Sequence, residues 1–163
     1  MNQQDFSKKN DPSVDIIMPN YNKEKFINEA IDSVINQKYN NWKLIIIDGA
    51  SKDNSKKILE YYEKKFNNIS TIYLKKRKNT SFARNLGIRL SKAEYIAFLD
   101  SDDYWSQAKL AEQINFMQKH NHTFTYTDYI PFTFKNNKKN FKKKVIAPNS
   151  FSYEQFIYDT SIA

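Results

Sequence analysis

A chain of 163 residues with 40% hydrophobic and 15% aromatic content can bury one sizeable core, so a single globular domain is the starting expectation. It contains no cysteine, which excludes disulfides and thiolate zinc sites. His120 and His122 are too few for a multi-histidine metal centre. Two glycines, Gly49 and Gly87, cannot build a dinucleotide fingerprint or a Walker loop, while a formal net charge of +8 favours anionic partners.

Met1 to Pro12 is polar and reads as a disordered lead-in. Val14 to Met18 is a short buried strand stopped by Pro19, and Glu24 to Gln37 places Phe26, Ile27, Ala30, Ile31, Val34 and Ile35 on one helical face. Asn40-Asn41 turns the chain into a second buried strand, Trp42 to Ile47. Ser51 or Asp53 caps a helix that runs to about Phe66. Ile69 to Leu74 is a third strand, followed by the basic turn Lys75-Lys76-Arg77-Lys78.

Thr80 or Ser81 then caps a helix through Leu90, with Phe82, Ala83, Leu86 and Leu90 packing. Tyr95 to Leu99 is the fourth strand, Gln107 to Lys119 the next helix, and Thr123 to Thr127 a fifth strand. Ile130 to Phe134 reads as a further strand, Lys135 to Lys144 as a charged, solvated loop, and Ser152 to Tyr158 as a short helix. Strands alternating with helices imply right-handed βαβ crossovers and a mostly parallel α/β sheet flanked by helices. The expected division is a lead-in over 1–12, a core over 13–128 and an incomplete region over 129–163. The chain stops at Thr160-Ser161-Ile162-Ala163 without a terminating signal, so C-terminal truncation is expected. No apolar run approaches the ~20 residues of a bilayer span and the polar N-terminus is no signal peptide, so a cytoplasmic protein is expected.

Three polar segments each follow a strand and precede a helix, which places them together at the carboxyl edge of the sheet, where open α/β folds bind ligands. In Pro19-Asn20-Tyr21-Asn22, Tyr21 fits either a half-buried turn aromatic or a ring stacked on a nucleobase, with Asn20 bonding the base. In Asp48 to Asp53, Asp48 fits either a turn or a contact with base or ribose. In Asp100-Ser101-Asp102-Asp103, capping accounts for one acid, Asp103, and leaves Asp100 and Asp102 for a divalent metal and ribose. Oxygen-only ligation suits Mg²⁺ or Mn²⁺, which would neutralise a diphosphate where no glycine loop exists. Arg84, one turn into its helix, fits a phosphate or base contact or a solvated surface arginine. His120 and His122 read as surface residues and Asp128 as a turn residue.

Taken together, Pro19 to Asn22, Ala30 to Gln37, Asp48 to Ser55, Ala83-Arg84-Asn85-Leu86-Gly87-Ile88 and Tyr95 to Trp105 resemble the family 2 glycosyltransferases of bacterial polysaccharide synthesis, over roughly Val14 to Leu110. The resemblance implies a GT-A fold and a nucleotide-diphosphate sugar donor, usually a uridine one. It implies a cation held by the Asp-x-Asp motif and inverting transfer to a glycan or lipid-linked acceptor. On that resemblance Asp102 is the metal ligand, and Pro19, Asn20, Tyr21, Asp48, Arg84, Asp100 and Ser101 form the nucleotide-binding set. The family often has Asp-Asp-Gly-Ser where this chain reads Asp48-Gly49-Ala50-Ser51. No catalytic base stands out before Ala163, so the base is expected beyond it and this chain is expected to transfer weakly.

Two rivals have different signatures. A nucleic-acid-binding module would use the lysine runs, but these fall in expected loops with no RNP-like or helix-turn-helix pattern. A nucleotidyltransferase of related fold would carry a glycine-rich turn after its first strand, and Pro19 to Asn22 has no glycine. The lysine runs also fit peripheral contact with an acidic membrane, and no nucleic-acid partner is expected.

Overall fold

The computed structural model of the chain describes residues 11–136, 138–148 and 150. Residues 1–10 of the lead-in expected over 1–12, and the helix expected over 152–158, lie outside them, while Pro12 is buried. The chain forms two compact units, one reaching to Glu112 and the other starting at Gln113.

The first unit is built on a four-stranded, all-parallel sheet. Its strands are β1 (Val14–Asn20), β2 (Trp42–Asp48), β3 (Ile69–Tyr73) and β4 (Tyr95–Phe98), in the order β3-β2-β1-β4. Helices α1 (Ile27–Ile35), α2 (Ser55–Lys65) and α3 (Thr80–Leu90) make the crossovers, and α4 (Lys109–His120) follows β4. All seven residues of β1 are buried, as are Leu44 to Asp48 of β2. Near-continuous apolar strands of this kind are what a sheet covered on both faces requires.

The strand β1 continues through Pro19 to Asn20 rather than stopping at Pro19. The reason is in the ladder. Ile17 O accepts from Leu99 N, and the β1–β4 pairing ends at Ile17 and Phe98. Backbone groups alternate sides along a strand, so the N–H that Pro19 lacks would face a side already without a partner, and no ladder bond is lost.

On one face of the sheet, Ile45 and Ile47 pack with Ala83 of α3, backed by Leu74 and Leu86. Helix α3 comes so close to β1 that a Cβ on Gly87 would sit 2.5 Å from Ile17 Cγ2. Gly87 is buried, whereas Phe82 and Leu90, expected to pack, are exposed. The face of α3 is narrower than the apolar spacing suggested, because Gly87 brings the helix down along the Ala83–Gly87 line. Its N-cap is Asn79, whose side chain accepts from Phe82 N at 2.8 Å, not Thr80 or Ser81.

Asp53 organises the start of α2 and the entry to α1. Its Oδ1 accepts from Ser55 N at 2.9 Å and its Oδ2 from Glu24 N at 3.0 Å. Burial pulls the Asp53 carboxyl upward, but hydrogen bonds from Ser55 and Glu24 outweigh it and hold the group below its ordinary value.

In the second unit, strands β5 (Phe132–Lys135) and β6 (Lys138–Phe141) form an antiparallel hairpin. This corrects the expected loop over Lys135 to Lys144 as far as Phe141, while Lys142 to Lys144 stay outside any strand and exposed. Asn136, at φ 51°, supplies the left-handed backbone that a tight hairpin turn needs. The expected fifth strand over Thr123 to Thr127 is not a strand, because no neighbouring strand pairs with it. Among the described residues, no helix is long and apolar enough to cross a membrane.

Candidate functional site

The register brings the ends of β1 and β2 level, with Asn20 opposite Asp48 and Asp48 opposite Tyr73. Beyond these ends the expected residues fall into two layers, a buried base and an open rim.

The base is a hydrogen-bonded knot. Asp48, only 2% exposed, accepts from Asn20 Nδ2 at 2.8 Å and Ser51 Oγ at 2.6 Å through Oδ1, and from Ser51 N at 2.9 Å through Oδ2. Ser51 Oγ in turn accepts from Asn22 N at 2.9 Å. These bonds hold the turn after β2 against the turn after β1. Gly49 has no room to grow toward Asn20 O, 3.3 Å from where a Cβ would be, and it lies against Tyr21. Ala50 sits at φ 62°, a left-handed conformation that favours glycine, and the Ser51 N to Asp48 bond secures this turn. Pro19 and Ser101 are buried as well. Asn20 is buried with its Oδ1 lacking a hydrogen-bond partner.

The rim carries the charge. Asp100 Oδ1 accepts from Arg84 Nη2 at 2.7 Å, and Asp102 Oδ2 pairs with Lys23 Nζ at 2.6 Å. The Asp100 and Asp102 side chains are 41% and 43% exposed. Pairs this open are individually weak, so a stronger ion can displace either basic group. Arg84 Nε is buried with no partner, an unused donor in the guanidinium that holds Asp100. Asp103 does not cap α4, which starts six residues later. Its N–H instead closes a turn onto Asp100 O at 3.0 Å. Burial first, then the negative charges of Asp102 and Asp100, raise the Asp103 carboxyl, with Lys23 opposing. The acids therefore sense one another across the loop.

Tyr21 is half-buried, and the Arg77 guanidinium lies over its ring, 4.4 Å from the centroid. Arg77 comes from the basic turn after β3, where Leu74 N donates to Asp48 O at 2.9 Å and so brings that turn to the same edge.

A staple from α1 fixes the segment after the acids. Ser33 Oγ accepts from Trp105 N at 3.1 Å. The buried Gln37 donates to Ser106 O at 2.7 Å and accepts from Leu110 N at 3.0 Å. In the same segment, burial pushes the Lys109 ammonium down to about 8, while its Nζ lies 3.6 Å from the centre of the Trp105 ring.

Lys23, Arg77 and the Ser33–Gln37 staple were not singled out from the sequence. The available signal was placement, since Lys23 and Arg77 each stand within a few residues of a strand end on the acidic edge. His120 and His122 are exposed, as expected, stack on each other and lie tilted against Phe116 in the second unit. Asp128 pairs with Lys144 at 2.6 Å and accepts from Ala147 N at 2.9 Å, a structural role within that unit.

Among the described residues, no three His, Cys, Asp or Glu side chains form a ready metal cage. The donors still fit a hard divalent cation. Half-exposed carboxylates on one loop match the way Mg²⁺ is held, by one or two acids with water and substrate phosphates completing the shell.

Comparison with known proteins places the chain in a family. The family described as Glycosyl transferase family 2 matches residues 15–162. The putative teichuronic acid biosynthesis glycosyltransferase TuaG of Bacillus subtilis is 34% identical over 151 residues, 93% of this chain and 59% of that protein. The Escherichia coli UDP-Glc:alpha-D-GlcNAc-diphosphoundecaprenol beta-1,3-glucosyltransferase WfgD is 36% identical over 150 residues, 91% of this chain and 56% of WfgD. The chain thus spans between half and three fifths of the length of these relatives. Among solved structures, S. aureus TarS 1–349 in complex with UDP superposes with a TM-score of 0.62 at 28% identity, covering 67% of this chain and 33% of that one. The parallel sheet flanked by helices is thus that of GT-A glycosyltransferases.

Proposed function

The chain belongs to glycosyl transferase family 2, and from that premise we propose that it is the donor-binding part of a glycosyltransferase. Its substrate is a nucleotide-diphosphate sugar, a UDP-sugar in this reading, and its acceptor is a glycan or a lipid-linked saccharide. UDP in the TarS complex and the UDP-glucose and diphosphoundecaprenol in the name of WfgD support that choice.

The single observation that carries the reading is the rim. Two half-exposed acids each hold one displaceable basic side chain, and Arg84 keeps an unpaired Nε beside them. In this arrangement Tyr21 offers its ring to the base, and Asn20 Oδ1, buried and unpartnered in this state, accepts from a base N–H once the site opens to it. Asp48 and Ser51 act beneath, by fixing Asn20 and the turn that carries Tyr21. Asp100 accepts from a ribose hydroxyl when Arg84 releases it, and the freed guanidinium turns to phosphate.

Asp102, with Asp100 nearby, would hold Mn²⁺ or Mg²⁺ against the diphosphate. When bound, that ion supplies the charge that lets a nucleoside diphosphate leave. Lys23, released from Asp102, remains beside the phosphates as a second cation. Transfer with inversion follows when an acceptor hydroxyl, giving its proton to a base, bonds to the anomeric carbon from the face opposite the diphosphate, and the C–O bond to the nucleoside diphosphate breaks.

Calorimetric titration with UDP, in the presence of Mn²⁺, tests the assignment. We expect saturable one-site binding that Tyr21→Ala weakens by about 1–3 kcal/mol, the range for a lost stacking contact. Absence of saturable binding, or indifference to Tyr21→Ala, would overturn it.

A further inference from the structure

We propose that the β5–β6 hairpin is a membrane-docking element whose partner is an anionic lipid bilayer surface. This inference does not depend on the donor site.

Between Gln113 and Ser150 the chain carries seven lysines against one carboxylate, Asp128. That carboxylate is already paired with Lys144. The charge is concentrated on the hairpin and the segment leaving it, at Lys135, Lys138, Lys139, Lys142, Lys143 and Lys144. The hairpin register sorts the side chains. Phe132 lies opposite Phe141 and Phe134 opposite Lys139, while Thr133 lies opposite Asn140 and Lys135 opposite Lys138. Because side chains alternate, Phe132, Phe134, Phe141 and Lys139 share one face, and Lys135 and Lys138 share the other.

The aromatic face is a contiguous cluster. The Phe132 ring stands 5.8 Å from Phe134 and 6.0 Å from Phe141, and Lys139 Nζ lies over Phe132 at 5.0 Å. Yet Phe134 is 48% exposed and Phe141 59%, and Ile146, just beyond, is 76% exposed. A two-stranded hairpin is marginal in water on its own, and one showing aromatic and aliphatic groups to solvent favours a surface that takes them up.

Charge and apolarity together select the occupant. Acidic lipid attracts the lysines, whose long stems let the ammonium groups stay at headgroup level while phenylalanine and isoleucine enter the acyl boundary. A nucleic-acid surface fits less well. The segment has no arginine to fork onto phosphate, its rings pack against one another, and the exposed Ile146 beside them suits an acyl chain rather than a base.

The test is co-sedimentation of the chain with two vesicle preparations, phosphatidylcholine alone and phosphatidylcholine with roughly a third phosphatidylglycerol. We expect binding to the acidic vesicles only, weakened but not abolished by high salt. The triple variant Lys138→Gln/Lys142→Gln/Lys143→Gln should lose on the order of a hundredfold in partitioning, at about fivefold per lysine. The double variant Phe134→Ser/Phe141→Ser should lose the salt-resistant fraction. Far-UV circular dichroism checks both folds, and the charge variant leaves the aromatic face intact should the other misfold. Equal binding to neutral vesicles, no binding to acidic ones, or an unaffected triple variant would overturn the proposal. So would displacement of the chain from acidic vesicles by an equimolar single-stranded oligonucleotide.

Discussion

The Arg77 guanidinium lies over the Tyr21 ring, 4.4 Å from its centroid, and joins the basic turn after β3 to the turn after β1. An exposed cation–π contact stabilises by about 0.5–1 kcal/mol, less than a charge-assisted hydrogen bond to phosphate at about 1.5–3 kcal/mol. A nucleotide stacked near Tyr21 therefore gains from Arg77 more than it loses by disturbing the stack. Arg77→Ala should weaken UDP binding by roughly fivefold to tenfold, and Arg77→Lys should restore only part of it, because the planar fork is gone. Calorimetry on the two variants reads this directly, and unchanged or tighter binding by Arg77→Ala would exclude the contact.

Helix α3 depends on Gly87 for its approach to the sheet. Adding a methyl group there meets Ile17 Cγ2 at 2.5 Å and Cγ1 at 3.0 Å, and Ile17 is wholly buried in β1. Alanine would favour the helix by up to about 1 kcal/mol, but overpacking a rigid β-branched neighbour costs about 1–3 kcal/mol. Gly87→Ala should therefore lower stability, by up to about 2 kcal/mol in urea unfolding. Since α3 carries Arg84, a weaker grip on Asp100 should accompany it.

Asp53 provides a pH-dependent contribution. Its carboxyl lies below the ordinary value in the folded chain, so the stabilisation is fully present above the unfolded value of 3.8 and is lost as pH falls through the lower folded value. Asp53→Ala removes the acceptors for Glu24 N and Ser55 N. It should cost about 1–2 kcal/mol near neutrality, with the gap to the parent chain closing below pH 3.8. Thermal unfolding measured from pH 7 down to pH 3 checks both the size and the sign.

Much of the fold was readable because the signals were local. Leu44 to Ile47 is a short apolar, β-branched run that suits a buried strand, and Asp100 to Asp103 puts acids straight after the apolar run of β4, which is half-exposed. Their meeting at one edge then follows from parallel topology. What escaped was set by distance along the chain or by competition between neighbours. Nothing in Lys23 or Arg77 announces Asp102 or Tyr21 as partner, because a flexible charged side chain has no periodicity. Asn79, Thr80 and Ser81 are all good caps, and which one wins depends on where Gly87 seats the helix. Lys138 to Phe141 shows no clean alternation, so β6 is specified by its partner Phe132 to Lys135 and by the turn at Asn136. Thr123 to Thr127 has strand-forming residues but no strand to pair with, which is why propensity alone misled there.

The central claim is that Asp102 exchanges Lys23 for a divalent cation when a nucleotide diphosphate arrives. Calorimetric titration of UDP with Mn²⁺ and with EDTA, for the parent chain and for Asp102→Asn, addresses it most directly. We predict at least tenfold tighter binding with Mn²⁺ for the parent chain, a difference of about 1.4 kcal/mol or more, and no metal effect for the variant. Equal affinity with and without metal, or a metal effect that survives Asp102→Asn, would contradict it.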